Sequence, residues 1–258
     1  MSSQPETTSV AVCPECGGTG WARVEKNGAP GVARCECRKQ SRGSRLLQAA
    51  RIPARYKHCD LESFDLSPRL TNSTHANAKT AAEKFVREYP FSMPFGLLFM
   101  GPPGVGKTHL AVGIIKDLMK LKGIPCLFRT FPELLKEIQN SYSPISQSSE
   151  MSLLSPVLDT EVLVLDELGA QTPSAWVKDT VSYIINYRYA ESKVTIFTTN
   201  LLDRDEPEGG SKGSSLKPDT LEKRIGEQMR SRLFEMCKTL VITGNDFRQQ
   251  VKQAEHHF

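Results

Sequence analysis

The positions of apolar residues predict a layered α/β fold over most of the chain. Five short runs rich in Val, Leu, Ile and Phe lack the alternation of one-sided strands, as expected for strands buried on both faces. These runs are 95–100, 126–129, 161–166, 194–199 and 239–243. Helical patterns lie before or between them, at 74–89, 107–122, 132–140 and 174–189. This alternation predicts a doubly wound parallel sheet with flanking helices.

Residues outside this pattern are organised differently. Residues 1–12 are predicted to be a disordered tail, a cysteine-rich unit occupies 13–37, and a basic stretch with a short helix at 44–51 follows it. Two segments are predicted to be loops: the Ser-rich 141–155, and 203–218 with its glycines and prolines. We therefore divide the chain into an N-terminal region 1–58, a main domain 59–250 and a frayed tail 251–258.

The composition of the 258 residues fits a protein with an ordinary core, since 39% are hydrophobic and 24% are charged. No apolar run approaches the ~20 residues that span a bilayer, and the N-terminus lacks the pattern of a secretion signal, so we expect a cytoplasmic protein with no membrane partner. The net charge is only +4, but eight basic residues and one acid lie between positions 34 and 57. Such a cluster suits a nucleic-acid backbone or an acidic protein partner, with a solvated linker as the alternative.

A phosphate-binding loop follows the first of these predicted strands and opens a helix. The pattern G-x-x-x-x-G-K-T lets backbone N–H groups converge on phosphate oxygens at the positive end of the helix. Lys107 is expected to reach the β- and γ-phosphates of ATP, and Thr108 to ligate Mg²⁺. His109 is also expected to pack inside the helix. The predicted nucleotide-binding residues are Gly101, Pro102, Pro103, Gly104, Val105, Gly106, Lys107, Thr108 and His109.

Polar residues end two later strands. At the carboxyl edge of a parallel sheet, Asp166 can hold Mg²⁺, while Glu167 can polarise the water that attacks the γ-phosphate. Asn200, in the run Thr-Thr-Asn, can orient that water, with a strand-end cap as the alternative. Before the last strand, Arg230 or Arg232 can enter a neighbouring subunit's ATP site, or form a surface salt bridge.

Four of the seven cysteines lie close together near the N-terminus: Cys13, Cys16, Cys35 and Cys37. A Cys-x-x-Cys turn commonly supplies two zinc ligands, and Cys-x-Cys can supply two more. Because so small a unit has little core, bound Zn²⁺ would supply much of its folding energy; reduced cysteines on a flexible arm are the alternative. The other three, which are scattered, are predicted to be small core residues: Cys59, Cys126 and Cys237.

These parts, in this order, resemble the AAA+ ATPases. Within that class, four runs resemble the DnaC/DnaI helicase loaders and the related IstB transposition helpers. They are Gly-Lys-Thr-His-Leu-Ala at 106–111, Phe-Arg-Thr-Phe-Pro-Glu-Leu-Leu at 128–135, Leu-Asp-Glu-Leu-Gly at 165–169 and Thr-Thr-Asn-Leu at 198–201. The resemblance covers about residues 61–247, and Cys-x-x-Cys-x-Gly-x-Gly-Trp followed by Cys-x-Cys-Arg extends it to the N-terminal region.

The resemblance implies an ATPase that loads the ring-shaped replicative helicase onto single-stranded DNA. It implies self-association with ATP between subunits, and an N-terminal part that grips the helicase. DNA contacts would come from about residues 133–155, with three candidate residues: Lys136, Asn140 and Tyr142.

The resemblance also implies roles for particular residues of the ATP site. Asn200 would be the sensor of the family pattern, and Arg232 matches the trans-acting arginine best because it stands six residues after Gly226. Arg230 lies close to it, and Arg188 matches a further family arginine.

Two other functions fit the same motifs. One is an IstB-like helper that binds duplex DNA and recruits a transposase; the cysteine unit favours the loader, because it resembles the loaders' helicase-binding end. The other is a nucleotide-gated adaptor with negligible turnover, against which the intact pair Asp166 and Glu167 argues.

Overall fold

The computed structural model describes residues 13–26, 29–67, 71–93, 95–143, 149–172, 174–203 and 219–249. The predicted tails 1–12 and 251–258, and parts of the predicted loops 141–155 and 203–218, lie outside these ranges. Within them, no helix combines the length and the apolar character needed to cross a membrane.

The N-terminal region contains an antiparallel hairpin, which the apolar pattern did not predict. Strand β1 (Trp21–Lys26) pairs with β2 (Ala29–Arg34), and helix α1 (Glu36–Ala49) follows at once. The predicted helix 44–51 overlaps the C-terminal part of α1, which ends two residues earlier. Gly43 lets α1 approach the main domain closely, because a Cβ at this position would lie 3.3 Å from the carbonyl oxygen of Met119.

The main domain is built on a five-stranded parallel sheet, as predicted. Its strands are β3 (Gly96–Met100), β4 (Cys126–Thr130), β5 (Val162–Asp166), β6 (Val194–Thr199) and β7 (Cys237–Val241). They lie in the order β4-β5-β6-β3-β7, which brings the carboxyl ends of β3, β5 and β6 together at the centre of one edge. Strand β7 begins two residues before the predicted run 239–243.

Helices cover both faces of this sheet. In chain order they are α2 (Ser73–Glu88), α3 (Lys107–Asp117), α4 (Phe131–Ser141), α5 (Glu150–Asp159), α6 (Ala175–Ala190), α7 (Leu221–Ile225) and α8 (Glu227–Met236), and a π-helical turn (Leu118–Lys122) continues α3. Alternate residues of β3 point to opposite faces: Leu97 packs with α2 and α3, and Leu98 packs with α4 to α8. The three scattered cysteines are buried, as predicted: Cys59, Cys126 and Cys237.

Part of the predicted loop 141–155 is helical. The Ser149 hydroxyl accepts a hydrogen bond from the Ser152 N–H and so caps α5, whose Leu154, Val157 and Leu158 are buried. The loop prediction was wrong here because serine favours helix N-caps as well as loops, and the apolar face of α5 starts only four residues later.

The segment after α1 joins the N-terminal region to the main domain. The Phe128 N–H in β4 donates to the Ala50 carbonyl at 2.8 Å, and Tyr56 is buried in the core of the main domain. Further along, the Lys116 ammonium of α3 donates to the Lys57 carbonyl at 2.8 Å and pairs with the Asp60 carboxylate at 2.7 Å. Residues 50–60 are therefore anchored on α3 and β4, although the domain boundary at residue 58 stays a prediction.

Arg188 lies inside the main domain, where only 1% of the residue is exposed. Its guanidinium donates five hydrogen bonds of 2.6–3.0 Å, to the carbonyls of Val157, Leu158, Thr160 and Val194 and to the Thr195 hydroxyl. It therefore caps the C-terminal end of α5 and ties it to β6. Burial lowers the pKa of Arg188 to about 9. This position leaves the guanidinium unable to reach a neighbouring subunit.

Replacing Arg188 with Met should lower the free energy of unfolding by about 3 kcal/mol or more, because buried carbonyls lose their donors. Urea unfolding followed by circular dichroism measures this change. Lys84→Met, on the exposed face of α2, is the control and should shift stability by less than about 0.5 kcal/mol. Equal stability of the two variants would contradict the structural role.

Candidate functional site

A cavity of about 550 Å³ opens where the carboxyl ends of β3, β5 and β6 meet. The predicted nucleotide loop and the predicted catalytic residues supply one part of its wall: Pro103, Gly104, Gly106, Lys107, Thr108, His109, Glu167 and Asn200. Thr198 lies between them at the end of β6. The structure thus brings the separate sequence motifs to one place.

The phosphate loop has a conformation that requires glycine. Gly101 and Gly106 have φ angles of 147° and 92°, and a Cβ at Gly101 would lie 2.0 Å from the Ile242 carbonyl oxygen. The Lys107 ammonium folds back over the loop and donates to the carbonyls of Gly101 and Pro102, each at 2.7 Å. Val105 instead points into the core. The loop is therefore already curled around the position where phosphates bind in such motifs.

Lys107 is nearly buried, with 6% of the residue exposed. Burial lowers the pKa of its ammonium to about 8, the Asp166 carboxylate opposes that shift, and the nearby Arg248 guanidinium adds to it. An anion in the cavity would favour the charged form of Lys107.

Asp166 is fully buried beside Thr108. Its Oδ1 accepts hydrogen bonds from the hydroxyls of Thr108 at 2.9 Å and Thr198 at 2.6 Å. Its Oδ2 is buried and has no hydrogen-bond partner among the described residues. Burial raises the pKa of this carboxyl. An unpartnered carboxylate oxygen next to a threonine hydroxyl fits a site for Mg²⁺, which favours oxygen ligands and water.

Glu167 has a backbone φ of 60°, which is uncommon for a residue with a side chain and costs about 1–2 kcal/mol. Its N–H donates to the Thr198 hydroxyl at 3.0 Å, and the same hydroxyl donates to Asp166. One threonine thus positions both acids, a role that the run Thr-Thr-Asn did not reveal. Asn200 lines the cavity beside them.

His109 lines the cavity from α3 and is also packed, as expected. Its Nε2 lies 2.8 Å from the Asp60 carbonyl oxygen and 3.3 Å from the Ser63 hydroxyl, and its ring meets Phe64 edge-on at 5.4 Å. Burial lowers the pKa of this imidazole. The residues that His109 contacts all lie in the segment between α1 and α2, so His109 helps to hold that segment on α3.

Two chain segments that sequence reasoning missed complete the wall of the cavity. The first lies between α1 and α2 and supplies four residues: Arg55, Tyr56, His58 and Cys59. The second follows β7, where Phe247 and Arg248 line the cavity and the Phe247 N–H donates to the Gly104 carbonyl at 3.3 Å. For this second segment, the sequence offered one signal, Arg248, a basic residue shortly after the last strand.

The four N-terminal cysteines form one cluster, in which all four sulfur atoms lie within 4.8 Å of one another. The Cys13 and Cys35 sulfurs are 3.7 Å apart, and those of Cys16 and Cys37 are 3.4 Å apart. Tetrahedral zinc with Zn–S bonds of about 2.3 Å separates its sulfurs by roughly 3.8 Å. The Gly20 N–H bonds the Cys16 sulfur at 3.3 Å and lowers the pKa of that thiol to about 6. The cluster can hold a metal ion, and its donors fit Zn²⁺.

One zinc ion per chain is the expected result of metal analysis on the purified full-length protein. Cys13→Ser combined with Cys35→Ser should remove it, and the hairpin should lose protection from hydrogen exchange, because the described hairpin has almost no buried core of its own. Cys126→Ala, in the main domain, should keep the metal. A folded hairpin without zinc in the wild-type protein would contradict this prediction.

A family model described as IstB-like ATP binding protein matches residues 33–255. The chain belongs to this family. The IstB-like chain is 28% identical to the replicative helicase loader DnaC of Escherichia coli (strain K12) over 156 residues, which make up 60% of this chain and 61% of that protein. The match thus spans less than two thirds of that relative's length.

Solved structures resemble this IstB-like chain over a larger share of their length. A crystal structure of the DnaC helicase loader is similar with a TM-score of 0.60 and 33% identity, covering 74% of this chain and 99% of that one. A crystal structure of DnaI is similar with a TM-score of 0.56 and 26% identity, covering 76% and 94%. These findings confirm the predicted resemblance to DnaC/DnaI-type loaders and the AAA+ fold.

The two remaining arginine candidates of this IstB-like protein lie on α8, and neither lines the cavity. Arg230 pairs with the Asp203 carboxylate through two nitrogens and lies 4.7 Å from the centroid of the Phe234 ring. Arg232 donates to the Asn186 amide oxygen and lies 5.6 Å from the centroid of the Tyr189 ring. Among the described ion pairs, Arg230 is neutralised by an acid and Arg232 is not.

The predicted DNA-contact residues of this IstB-like protein are exposed. Lys136 and Asn140 lie one turn apart on α4, and Tyr142 ends that helix. The Tyr142 hydroxyl accepts a hydrogen bond from the Trp176 indole at 3.3 Å. Their exposure is compatible with a binding role, which stays a prediction.

Proposed function

We propose that this IstB-like protein is an ATP-dependent loader that places a replicative DNA helicase on single-stranded DNA. The observation that carries the proposal is the cavity lined by Lys107, Thr108 and Glu167, with the buried Asp166 bonded to Thr108 behind its wall. The similarity of the chain covers almost all of a DnaC loader structure. The proposal includes self-association in ATP, which the position of Arg232 outside its own chain's cavity supports.

Each residue of the cavity has a chemical task in ATP hydrolysis. Lys107 binds the terminal phosphates, and Thr108 and Asp166 would hold Mg²⁺, which when bound neutralises charge on the phosphate oxygens. Glu167 accepts a proton from the attacking water, and Asn200 orients that water. The Thr198 hydroxyl holds both acids in place, because it accepts a hydrogen bond from the Glu167 N–H and donates one to the Asp166 carboxylate.

Arg232 acts in trans, since it lies outside the cavity of its own chain and has no acidic partner among the described residues. We expect Arg232→Ala to bind ATP normally and to hydrolyse it about 10³-fold more slowly. Mixing this variant with Glu167→Gln subunits should restore part of the activity, because an intact cavity then meets an intact arginine. No recovery in the mixture, or wild-type turnover in Arg232→Ala alone, would contradict the assignment.

Co-purification of the full-length protein with a replicative helicase, in ATP and in ADP, tests the proposed function. The loader should retain the helicase in one nucleotide state more than in the other, and should bind single-stranded DNA. Binding to duplex DNA together with a transposase, and no retention of helicase, would favour the transposition helper instead.

A further inference from the structure

A row of exposed arginines leads from the hairpin along α1. Arg34 ends β2, and Arg38, Arg42 and Arg45 follow in α1 at helical spacings of four and three, so they share one side of that helix. We name these four residues the arginine strip. A different side of α1 packs on the main domain through Leu46. The Arg42 side chain borders that contact, since a Cβ at Gly123 would lie 3.2 Å from its Nε, but all four arginines of the strip are exposed.

Trp21 lies within this arginine strip. The register of the hairpin places Trp21 directly opposite Arg34, and the Arg38 guanidinium lies 5.8 Å from the centroid of the indole ring. Arg38 is held there by packing against Gly20, where a Cβ would lie 3.3 Å from its Cδ. Almost half of Trp21, 47%, is exposed. A large aromatic residue on a small hairpin is thus left open to solvent, beside the Arg38 guanidinium and across the hairpin from Arg34.

The positive charge of the arginine strip is not neutralised within the described part of the chain. None of the salt bridges found there involves Arg34, Arg38, Arg42 or Arg45. The Arg45 guanidinium only donates to the Ser41 carbonyl of its own helix. The strip is therefore a surface of net positive charge with free donors, complementary to a polyanion.

We propose that the arginine strip binds the phosphate backbone of single-stranded DNA while Trp21 stacks on an unpaired base. Guanidinium groups match phosphate with two hydrogen bonds each, and an aromatic ring beside them is the usual platform for a base. Arg38 and Arg45 are about 10 Å apart along the helix, which is the rise of roughly three nucleotides in one stacked strand.

Duplex DNA offers no open base face to Trp21, and an acidic protein surface would not need a flat ring beside a cation. Single-stranded DNA can contact both parts of the surface, with its phosphates on the arginine strip and an unpaired base on Trp21. This inference rests on the proposed function and adds to it a DNA contact on the N-terminal region, separate from the predicted contacts on α4.

Binding of fluorescent oligo-dT to the full-length protein, measured at several salt concentrations, tests the proposal. The slope of log K against log salt changes by about 0.7 for each phosphate contact. Arg38→Gln, Arg42→Gln and Arg45→Gln together should therefore reduce the slope by about 2 and lower the affinity tenfold or more. The matched control removes three exposed charges elsewhere, with Lys84→Gln, Arg87→Gln and Lys238→Gln, and should leave the slope unchanged.

The stacking role of Trp21 has its own measurement. The chain has two tryptophans, so Trp176→Phe leaves Trp21 as the single tryptophan, and oligo-dT should quench its emission. Trp21→Ala should lower the affinity for oligo-dT about tenfold, with unchanged affinity for ATP. Far-ultraviolet circular dichroism of each variant confirms that the fold is retained.

Three results would overturn the proposal. Unchanged slope and affinity in the triple variant, with no quenching of Trp21, would exclude the strip and leave the loader function standing. Retained DNA binding with lost helicase co-purification in the triple variant would assign the strip to an acidic protein partner. A wild-type protein that binds no oligo-dT at all would exclude the strip and the loader function together.

Discussion

Lys107→Ala should abolish ATP binding at ordinary nucleotide concentrations. The ammonium is nearly buried and already turned over the phosphate loop, where it donates to Gly101 and Pro102. Removing a buried charge that pairs with phosphate should weaken binding by about 10²-fold or more. Titration with a fluorescent ATP analogue measures this loss. Unchanged affinity would show that nucleotide, if bound, lies elsewhere.

Lys84→Ala, on the surface of α2, is the control and should bind ATP like the wild type.

The pH dependence of ATP binding by the wild-type protein gives a second check. Burial lowers the pKa of Lys107 to about 8, and phosphate binds the protonated form. ATP affinity should therefore be steady below pH 8 and fall above it, by up to tenfold per pH unit.

Glu167→Gln should keep ATP binding and lose hydrolysis by about 10²- to 10⁴-fold, because the amide cannot accept a proton from water. The variant preserves the shape of the side chain, and the Thr198 hydroxyl should still hold the backbone at this position. Single-turnover measurement of phosphate release, with and without single-stranded DNA, gives the rate.

Glu88→Gln, an exposed glutamate at the end of α2, should hydrolyse ATP at the wild-type rate. Equal turnover in Glu167→Gln and the wild type would remove the general-base role from Glu167. A wild type that binds ATP but does not turn it over, even with DNA and helicase present, would support the nucleotide-gated adaptor.

Local motifs predicted which residues would meet at the carboxyl edge of the sheet. The loop at 101–108 and the acids after β5 each carry their chemistry in a few consecutive residues, and the parallel sheet brings their strand ends together. Thr198 was missed as the residue that positions both acids, because its role depends on the spacing of neighbouring strands. The same is true of Tyr56 and Arg248, which reach the cavity through tertiary packing alone.

Other differences have equally specific causes. Arg188 matched a family arginine, but its place in the core follows from contacts with α5 and β6 that no motif encodes. The hairpin was not predicted because none of the described side chains of β1 and β2 is buried, so these strands lack the apolar pattern that marks the central strands. Cysteine spacing, by contrast, predicted the cluster, since two short chelating turns need only local geometry.

The hydrogen bond from the Phe128 N–H to the Ala50 carbonyl, at the end of α1, has a consequence for signalling within the molecule. Only four residues separate Ala50 from Arg55, the first residue of the cavity wall in this part of the chain. A partner that moved Ala50 would therefore pull on this short link to the cavity wall. By thermodynamic reciprocity, ATP and such a partner would then alter each other's affinity by the same factor.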